Sequence, residues 1–363
     1  MNSPTPKKNL LSSDLTRPDW TKGDERDKEL IWLDKNENLD PILANYNSDI
    51  IKSIISDSLN VYPESYQCYR KLAKWANISS ENLLLTPGSD GAIRAVFEAY
   101  VGYGDIVLHT SPTFAMYYVY CKMYGAVEKM IEYEASSEGP TLCLGSLVDS
   151  IKKYKPKLVC LPNPDSPTGN VFKISEIEVI LDVAREFDTV VLIDEAYHPF
   201  YEETVIGLIN RYENLIVART FAKAWGLAGL RIGYAVSNKG NIVYLHKIRP
   251  MYEVNTIAVS ALTKILDHSD MMLASVKRLK QGKKYFLQEM QKMNFKIIYR
   301  EGNFLHVNFG DFAKKIHENL SDLVLYRQNF NDPCLAGYSR FSATTEDEFK
   351  IIVERIKKIG VNT

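Results

Sequence analysis

The chain has 363 residues, of which 45% are hydrophobic and 25% charged, and its formal net charge is −1. This length predicts one large or two moderate globular domains. A near-neutral chain without a block of like charges has no electrostatic basis for binding nucleic acid or a membrane surface. No apolar run approaches the roughly 20 residues of a membrane span, and the polar N-terminal segment lacks the apolar core of a secretory signal.

The cysteine and histidine patterns exclude two further classes of protein. The five cysteines are scattered, odd in number and without a C-x-x-C pair, which predicts buried, reduced thiols in a cytoplasmic protein. The six histidines include no H-E-x-x-H motif, so no metal site is expected.

The first part of the chain predicts an arm followed by a large α/β domain. Residues 1–39 are assigned to the arm, and the large domain is assigned to residues 40–255. Short runs rich in Val, Ile and Leu alternate here with amphipathic stretches such as 91–101 and 174–187. The apolar runs are 83–86, 105–110, 157–163, 189–194, 214–219 and 231–237. Runs that are apolar at successive positions are typical of strands buried on both faces of a parallel sheet.

The remainder, residues 256–363, predicts a smaller α+β domain. A helical pattern extends from about residue 255 to 293, and four short strand-like runs follow it. These runs are 295–299, 303–310, 323–327 and 338–343. The expected fold class is therefore α/β, with a mostly parallel central sheet, flanking helices and a smaller C-terminal domain.

Chemically distinctive residues follow several of the predicted strands of the large domain. Ligands of open parallel sheets bind beyond the carboxyl ends of the strands, so these residues are expected to lie at one edge of the sheet. They are the Gly/Ser turn "PGSDGA" with Ser89 and Asp90, Phe114 of "SPTFAMY", the turn "NPDSPTG", Asp194 with Tyr197, and Thr220 with Lys223. A Gly/Ser turn that opens a helix offers free N–H groups to an anion, typically a phosphate.

This combination fits the requirements of pyridoxal phosphate. The aldehyde of this cofactor needs a reactive lysine amine, and its pyridine nitrogen needs a carboxylate. Its ring packs on an aromatic side chain, and its phosphate needs amides, hydroxyls and an arginine. Taken singly, each residue has a structural explanation: Lys223 as a lysine that reaches solvent, Asp194 as a helix cap, and Phe114 as core packing. The ordered set favours the cofactor site.

The ordered motifs resemble those of the fold-type-I, class I/II aminotransferases, and most closely the histidinol-phosphate aminotransferase group. The resemblance runs from "LDKNENL" at 33–39 to "YSRFSATTEDEF" at 338–349. Between them lie "LNVYPE", "PGSDGA", "SPTFAMY", "NPDSPTG", "LIDEAY", "RTFAKAWGLAGLRIG" and "GNF". The resemblance implies the fold of type I pyridoxal-phosphate transferases and a homodimer with shared active sites.

The resemblance also implies a role for each matching residue. Lys223 would form the Schiff base and then move a proton, Asp194 would pair with the pyridine nitrogen, and Tyr197 would donate to the ring oxygen. Phe114 would stack on the ring. The phosphate would be held by Ser89, Asp90, Thr220, Arg231 and, from the neighbouring subunit, Tyr62. The substrate would be bound by Arg340 at its α-carboxylate, by Arg327 at a second anion, and by Asn36.

Three positions depart from the pattern of this group. Members of this group usually have an asparagine before P-T-G, and that asparagine donates to the ring oxygen. This chain has Ser166 at that position, so Asn163, or Tyr197 alone, would supply the contact. Ala222 replaces the usual serine before the lysine and removes one phosphate hydroxyl. The segment "NENL" lacks the usual final proline of N-E-N-P. These departures leave the cofactor set in place and bear on the substrate.

Three functions are compatible with these motifs. The first is an aminotransferase that moves an amino group from an amino acid, expected to be L-glutamate, to a small phosphorylated keto acceptor. The second is a decarboxylase of a phosphorylated amino acid of the threonine-phosphate or phosphoserine type, since such enzymes share nearly all of these motifs. The third is a non-catalytic relative, against which the intact set of Lys223, Asp194, Tyr197 and Arg231 argues.

Overall fold

The computed structural model describes residues 4–19, 21–23, 25–54 and 59–360. The arm contains a short 3-10 helix at Lys8–Leu11 and ends in strand β1 (Ile31–Leu33). The helices that follow are α1 (Pro41–Lys52), α2 (Tyr66–Ala76), α3 (Gly88–Tyr100), α4 (Met116–Tyr124), α5 (Leu144–Tyr154), α6 (Ile174–Arg185), α7 (Lys239–Ile248), α8 (Thr256–Ile265), α9 (Ser269–Lys292), α10 (Ala313–Leu320) and α11 (Glu346–Lys357). None of the helices in these described ranges has the length and apolar character needed to cross a membrane.

The large domain is built on a seven-stranded sheet. Its strands are β2 (Leu83–Thr86), β3 (Ile106–Ser111), β4 (Val127–Glu132), β5 (Leu158–Pro162), β6 (Val190–Asp194), β7 (Leu215–Thr220) and β8 (Gly233–Ser237). They lie in the order β2-β8-β7-β6-β5-β3-β4. Strand β8 runs antiparallel to both of its neighbours, and the other pairs are parallel. The predicted α/β fold with a mostly parallel central sheet is confirmed.

Helices cover both faces of this sheet, and successive strand residues enter different cores. In β5, Val159 and Leu161 belong to one hydrophobic cluster, whereas Leu158 and Cys160 belong to the cluster on the opposite face. All five residues of β5 are buried. Side chains alternate between the faces of a strand, so a strand covered on both sides reads as a continuous apolar run. The predicted burial on both faces is therefore correct.

The smaller domain has an antiparallel sheet of its own. This sheet is formed by β9 (Lys296–Ile298), β10 (Phe304–Asn308) and β12 (Ser339–Ser342), and the domain also contains β11 (Val324–Tyr326). Strand β10 lies between β9 and β12, and β11 pairs in parallel with β1 of the arm. A further antiparallel bridge joins Arg327 to Arg340, so the end of β11 lies beside β12.

One long helix, α9, connects the two cores. Its first half contributes Met272, Val276 and Leu279 to a core of the large domain, and its second half contributes Phe286 and Met290 to the core of the small domain. Helix α8 packs entirely in the large-domain cluster. The domain boundary at residues 255/256 stays a prediction.

Candidate active site

The carboxyl edge of the large sheet opens into a cavity of about 400 Å³. This volume is typical of a small-molecule site. Nine of the residues predicted from the sequence line it: Ser89, Asp90, Phe114, Ser166, Asp194, Tyr197, Thr220, Lys223 and Arg231. Because parallel strands end at the same edge of a sheet, residues from distant parts of the chain meet here, as predicted.

Lys223 extends from the turn after β7 into this cavity. Its Nζ donates to the backbone oxygen of Lys35 at 2.7 Å and lies 5.9 Å from the centre of the Tyr197 ring. Burial, followed by the charge of Arg340, lowers the pKa of Lys223 to about 8. A lysine with this pKa is partly unprotonated near neutral pH, and the free amine is the nucleophilic form.

Asp194 is the last residue of β6 and is only 4% exposed. One carboxylate oxygen accepts from the backbone N–H of Ala196 at 3.1 Å, and the other lies 3.3 Å from the Tyr117 hydroxyl. Burial raises the pKa of Asp194 to about 7. A buried carboxyl group without a cationic partner of its own is suited to receive one from a ligand.

The N-terminus of α3 forms the second wall of the cavity. No side chain of the described residues caps this helix end, which leaves N–H groups near Ser89 and Asp90 free for an anion. Gly88 has a φ of +76°, and a Cβ there would lie 3.0 Å from the Arg231 guanidinium. A Cβ at Gly233 would lie 2.4 Å from the Gly88 backbone. Glycines at both positions therefore let the helix end approach β8 and Arg231.

Thr220 and Arg231 complete this anion-binding wall. The Thr220 hydroxyl accepts from the backbone N–H of Ala222 at 3.1 Å, so its own proton is available to a ligand. Arg231 adopts a φ of +51°, a left-handed conformation that is uncommon for residues other than glycine. This conformation lets Arg231 line the cavity with its side chain exposed there.

Tyr197 is held by a hydrogen bond from a buried asparagine. Asn36, which is 2% exposed, donates from its amide nitrogen to the Tyr197 hydroxyl at 2.8 Å. Asn36 itself has a φ of +55°, a conformation that asparagine tolerates better than most residues. The structure thus brings Asn36 to the site through Tyr197 and does not place it on the cavity wall.

Arg340 is a buried cation with neutral partners. It is 7% exposed, and its guanidinium donates to the backbone oxygen of Asp34 at 2.9 Å and to the Ser166 hydroxyl at 3.3 Å. Its Nε atom has no hydrogen-bond partner among the described residues. Burial lowers the pKa of Arg340. A buried arginine that lacks a carboxylate partner is a strong candidate to bind an anionic ligand.

Arg327 lies next to Arg340 across their backbone bridge but is exposed. Its guanidinium sits 4.3 Å from the centre of the Phe330 ring, an arrangement that fixes the cation without neutralising it. The charge of Arg327 also contributes to the lowered pKa of Arg340. The two arginines thus form an adjacent pair of positive charges.

Two predicted cofactor contacts lie away from this cavity. The Asn163 amide donates to the carbonyl of Phe172 at 3.0 Å and accepts from its N–H at 2.8 Å. Because both ends of the amide are used within the turn, the predicted contact of Asn163 with the ring oxygen is not supported by the geometry. Tyr62 is 71% exposed and stacks on Tyr252 with ring centres 4.1 Å apart.

The sequence prediction left four residues at this site without a role. Lys35 and Glu37 line the cavity, and Arg26 pairs with both carboxylate oxygens of Glu37 at 2.8 and 3.0 Å. Tyr117, which is fully buried against Asp194, received no role. Glu37 lies within the motif "KNENL", so the sequence could have indicated it. The pairing of Arg26 with Glu37 has no local sequence motif that would predict it.

Comparison with known proteins places the chain in a family. Residues 28–356 match the family described as aminotransferase class I and II, and the chain belongs to this family. It is 33% identical, over 86% of its own length and 87% of the relative's, to the histidinol-phosphate aminotransferase of Caldanaerobacter subterraneus subsp. tengcongensis. The predicted class, a pyridoxal-phosphate-dependent aminotransferase similar to the histidinol-phosphate group, is therefore confirmed.

Solved structures show the same fold at lower identity. The histidinol-phosphate aminotransferase of Sinorhizobium meliloti, in complex with pyridoxal 5'-phosphate, is similar with a TM-score of 0.79 at 22% identity, over 92% of this chain and 91% of that one. The L-threonine-O-3-phosphate decarboxylase of Porphyromonas gingivalis is similar with a TM-score of 0.74 at 19% identity, over 92% and 100% of the chains. The predicted type I fold is confirmed, and the fold alone does not separate the two reactions.

The residues present fit pyridoxal phosphate. The uncapped end of α3 with Thr220 and Arg231 matches a phosphate, and a buried carboxyl group at Asp194 matches a protonated pyridine nitrogen. Lys223, whose pKa is lowered, lines the same cavity and matches the aldehyde. The cavity thus offers a suitable group for each of the three polar parts of pyridoxal phosphate: the phosphate, the pyridine nitrogen and the aldehyde.

Proposed function

We propose that this protein transfers an amino group from L-glutamate to a small phosphorylated keto acceptor, with histidinol phosphate as the aminated compound. The observation that carries this proposal is Arg340, a buried guanidinium without a carboxylate partner in the described chain. An amino acid substrate supplies such a carboxylate, and a bidentate contact fits the guanidinium fork. The relative that is 33% identical is a histidinol-phosphate aminotransferase, which supports the choice of substrate.

Pyridoxal phosphate, when bound, supplies an aldehyde for the amino group and a ring that withdraws electrons from the substrate Cα. Asp194 favours the protonated pyridine nitrogen, because a buried carboxylate gains most from a cationic partner. Tyr197 donates its proton to the ring oxygen, since its own oxygen already accepts from Asn36. Phe114 would pack on the ring, and the phosphate would be held by the N–H groups at Ser89 and Asp90, by Thr220 and by Arg231.

Lys223 moves the proton that defines the reaction. Transfer of the amino group requires the Cα–H bond of a substrate held at Arg340 to face Lys223. The unprotonated Nζ would then accept the Cα proton as a general base, and the protonated amine would return it as a general acid on the cofactor side of the amino nitrogen. The lowered pKa of Lys223, about 8, places the amine close to the pH at which it can both accept and donate.

Arg327 is the proposed contact for the second anion of the acceptor. It is exposed at the end of β11 and next to Arg340, so the phosphate of the acceptor, which is attached beside the reacting carbon, could meet both arginines. Phosphate recognition by arginine is favoured by its planar set of donors.

We also propose a homodimer that works in the cytoplasm. Tyr62 lies outside the cavity of its own chain and belongs to an exposed apolar patch with Leu59, Val61, Met251 and Tyr252, of which Met251 is 76% exposed. Exposed apolar side chains grouped in this way are typical of an interface. A second copy would bring Tyr62 to the phosphate of its neighbour. The five cysteines are all free thiols, in keeping with a reducing compartment.

The test is a pair of half-reactions. The cofactor-loaded protein is mixed with L-glutamate, and the release of 2-oxoglutarate is measured against the number of active sites. Histidinol phosphate, phosphoserine, phosphothreonine and their unphosphorylated forms are then compared as amino donors. We expect about one 2-oxoglutarate per site and a preference for histidinol phosphate.

The matched control is Arg327→Gln. This variant should weaken the reaction of the phosphorylated amine more than the glutamate half-reaction, because a dianionic phosphate gains more from the arginine than the single charge of the glutamate γ-carboxylate does. Release of CO₂ from phosphoserine or phosphothreonine without formation of 2-oxoglutarate would instead assign the decarboxylase reaction. No reaction with any amine would favour the non-catalytic relative.

A further inference from the structure

Asp165 is a fully buried carboxyl group that the proposed reaction does not use. It is 0% exposed and accepts from three hydroxyl groups. Thr110 and Tyr133 donate to its Oδ2 atom at 2.7 and 2.8 Å, and Thr113 donates to its Oδ1 atom at 2.7 Å. Three hydroxyl donors satisfy this buried carboxyl group and offset the cost of removing it from water. Such a set of contacts indicates a structural role for Asp165.

The three hydroxyl groups come from different structural elements. Thr110 is part of β3, and Tyr133 directly follows β4. Thr113 lies in the loop between β3 and α4, residues 112–115, and is adjacent to Phe114. Only this third contact reaches a segment that carries a residue of the cavity wall.

Asp165 also adjoins a residue of the cavity wall on its own segment. Ser166 is the next residue, lines the cavity and contacts Arg340. The backbone of Asp165 is fixed as well, because its N–H donates to the carbonyl of Asn170 at 2.9 Å and its carbonyl accepts from the N–H of Gly169 at 2.7 Å. The carboxyl group therefore extends from a rigid turn to the loop of Phe114.

We propose that Asp165 is a positioning residue that, through Thr113, fixes the loop carrying Phe114 relative to the turn carrying Ser166. The inference rests on the proposed role of this cavity in holding pyridoxal phosphate. The Thr113 contact sets the distance between Phe114, which forms the aromatic side of the cavity, and Ser166, which contacts Arg340. The contacts of Thr110 and Tyr133 hold Asp165 to the sheet and do not set that distance.

The experiment compares the loss of one hydroxyl group at two places on the same carboxyl group. Thr113→Val removes the donor to Oδ1 with little change of shape, and Tyr133→Phe removes a donor to Oδ2. Thr113→Ser keeps the hydroxyl and serves as the conservative rescue. Each full-length variant is freed of cofactor and titrated with pyridoxal phosphate, and the circular dichroism of the bound cofactor and the melting temperature are recorded.

We expect Thr113→Val to raise the dissociation constant for pyridoxal phosphate by about tenfold, the effect of one hydrogen bond to a charged group. Its cofactor circular dichroism should weaken, since the ring loses a fixed aromatic neighbour. Tyr133→Phe should change the dissociation constant for pyridoxal phosphate by less than about twofold, even if it lowers the melting temperature as much as Thr113→Val does. Thr113→Ser should behave as wild type.

Equal effects of Thr113→Val and Tyr133→Phe on cofactor affinity would overturn the proposal, because the carboxyl group would then act only through overall stability. A wild-type dissociation constant for Thr113→Val would overturn it as well. Should Thr113→Val fold poorly, Thr113→Ala removes the same donor without a new methyl contact and is judged by the same criteria. Failure of the wild-type chain to bind pyridoxal phosphate would refute the proposed function itself.

Discussion

Replacing Asp194 by asparagine separates the cost of burying this carboxyl group from its benefit to the cofactor. An asparagine has the same shape, its oxygen can accept from the N–H of Ala196, and its amide can donate to the Tyr117 oxygen. Both hydrogen bonds at Asp194 can therefore persist, and the variant differs mainly in that it cannot ionise.

Burial raises the pKa of Asp194 from its ordinary value of 3.8 to about 7. The folded chain therefore binds more protons than the unfolded chain between about pH 4 and pH 7, and the free energy of unfolding falls as the pH rises through this window. At 1.36 kcal/mol for each tenfold change, the ionised carboxylate destabilises the cofactor-free protein by about 4 kcal/mol above pH 7. Asp194→Asn should regain up to this amount at pH 8 and nothing at pH 4.

Urea unfolding of the cofactor-free wild type and Asp194→Asn at pH 4, 6 and 8 measures this difference. Asp165 also has a raised pKa of about 7, and its charge contributes to the raised pKa of Asp194, so the difference between the two pH profiles reports Asp194 together with its coupling to Asp165. The same variant should bind pyridoxal phosphate more weakly, because it cannot pair with a protonated pyridine. Equal stability of the two proteins at pH 8 would show that Asp194 is not a desolvated carboxyl group.

Four further outcomes are expected. Lys223→Ala should lower turnover by more than about 10³-fold at an unchanged melting temperature; appreciable steady-state activity would contradict its role. Capture of pyridoxal phosphate by the cofactor-free chain should accelerate with a midpoint near pH 8, as the amine of Lys223 loses its proton. Arg340→Lys should raise the KM for glutamate by about tenfold, since an ammonium lacks the guanidinium fork. Tyr197→Phe should raise the cofactor dissociation constant by about tenfold, and an unchanged constant would indicate another donor.

In the central sheet, the sequence predicted the six strands whose residues are nearly all buried and missed the exposed strand β4. Strand β5, whose five residues are all buried, was recognised from its apolar run. Strand β4 lies at the edge of the sheet beside β3 alone and has mostly exposed or half-buried residues, including Glu128 and Lys129. An edge strand is stabilised by backbone pairing with one neighbour, so its side chains carry little of the signal.

The long C-terminal helical pattern was predicted as one stretch, whereas the structure divides it. Helix α8 ends at Ile265, a 3-10 turn covers Leu266–His268, and α9 begins at Ser269. Apolar residues on both sides of the turn pack in the same core, so the periodicity continues through the break. Tertiary packing decides the break, and a pattern of apolar positions does not reveal it.

The site residues that project from strand ends were predicted. Contacts made within the arm or between loops were missed. Asp194 and Thr220 end β6 and β7, and strand order brings them together without further information. Arg26, by contrast, meets Glu37 from within the arm, and Asp165 meets Tyr133 across two strand ends. Such contacts depend on loop geometry that one sequence does not encode in a local motif.

The position of Asn36 bears on the proposed site, which lacks the usual asparagine before P-T-G. Asn163 is bound within its own turn, which leaves the hydroxyl groups of Tyr197 and Ser166 as candidate donors to the ring oxygen, because Ser166 accepts from Arg340 at 3.3 Å and keeps its own proton. A tyrosine hydroxyl can rotate, but the amide of Asn36 already donates to the Tyr197 oxygen, so the hydroxyl proton must point to another acceptor. Asn36 is in turn fixed by Asn303, whose amide donates to its carbonyl at 2.9 Å. A buried asparagine thus orients the Tyr197 hydroxyl, which leaves its proton available to the proposed cofactor.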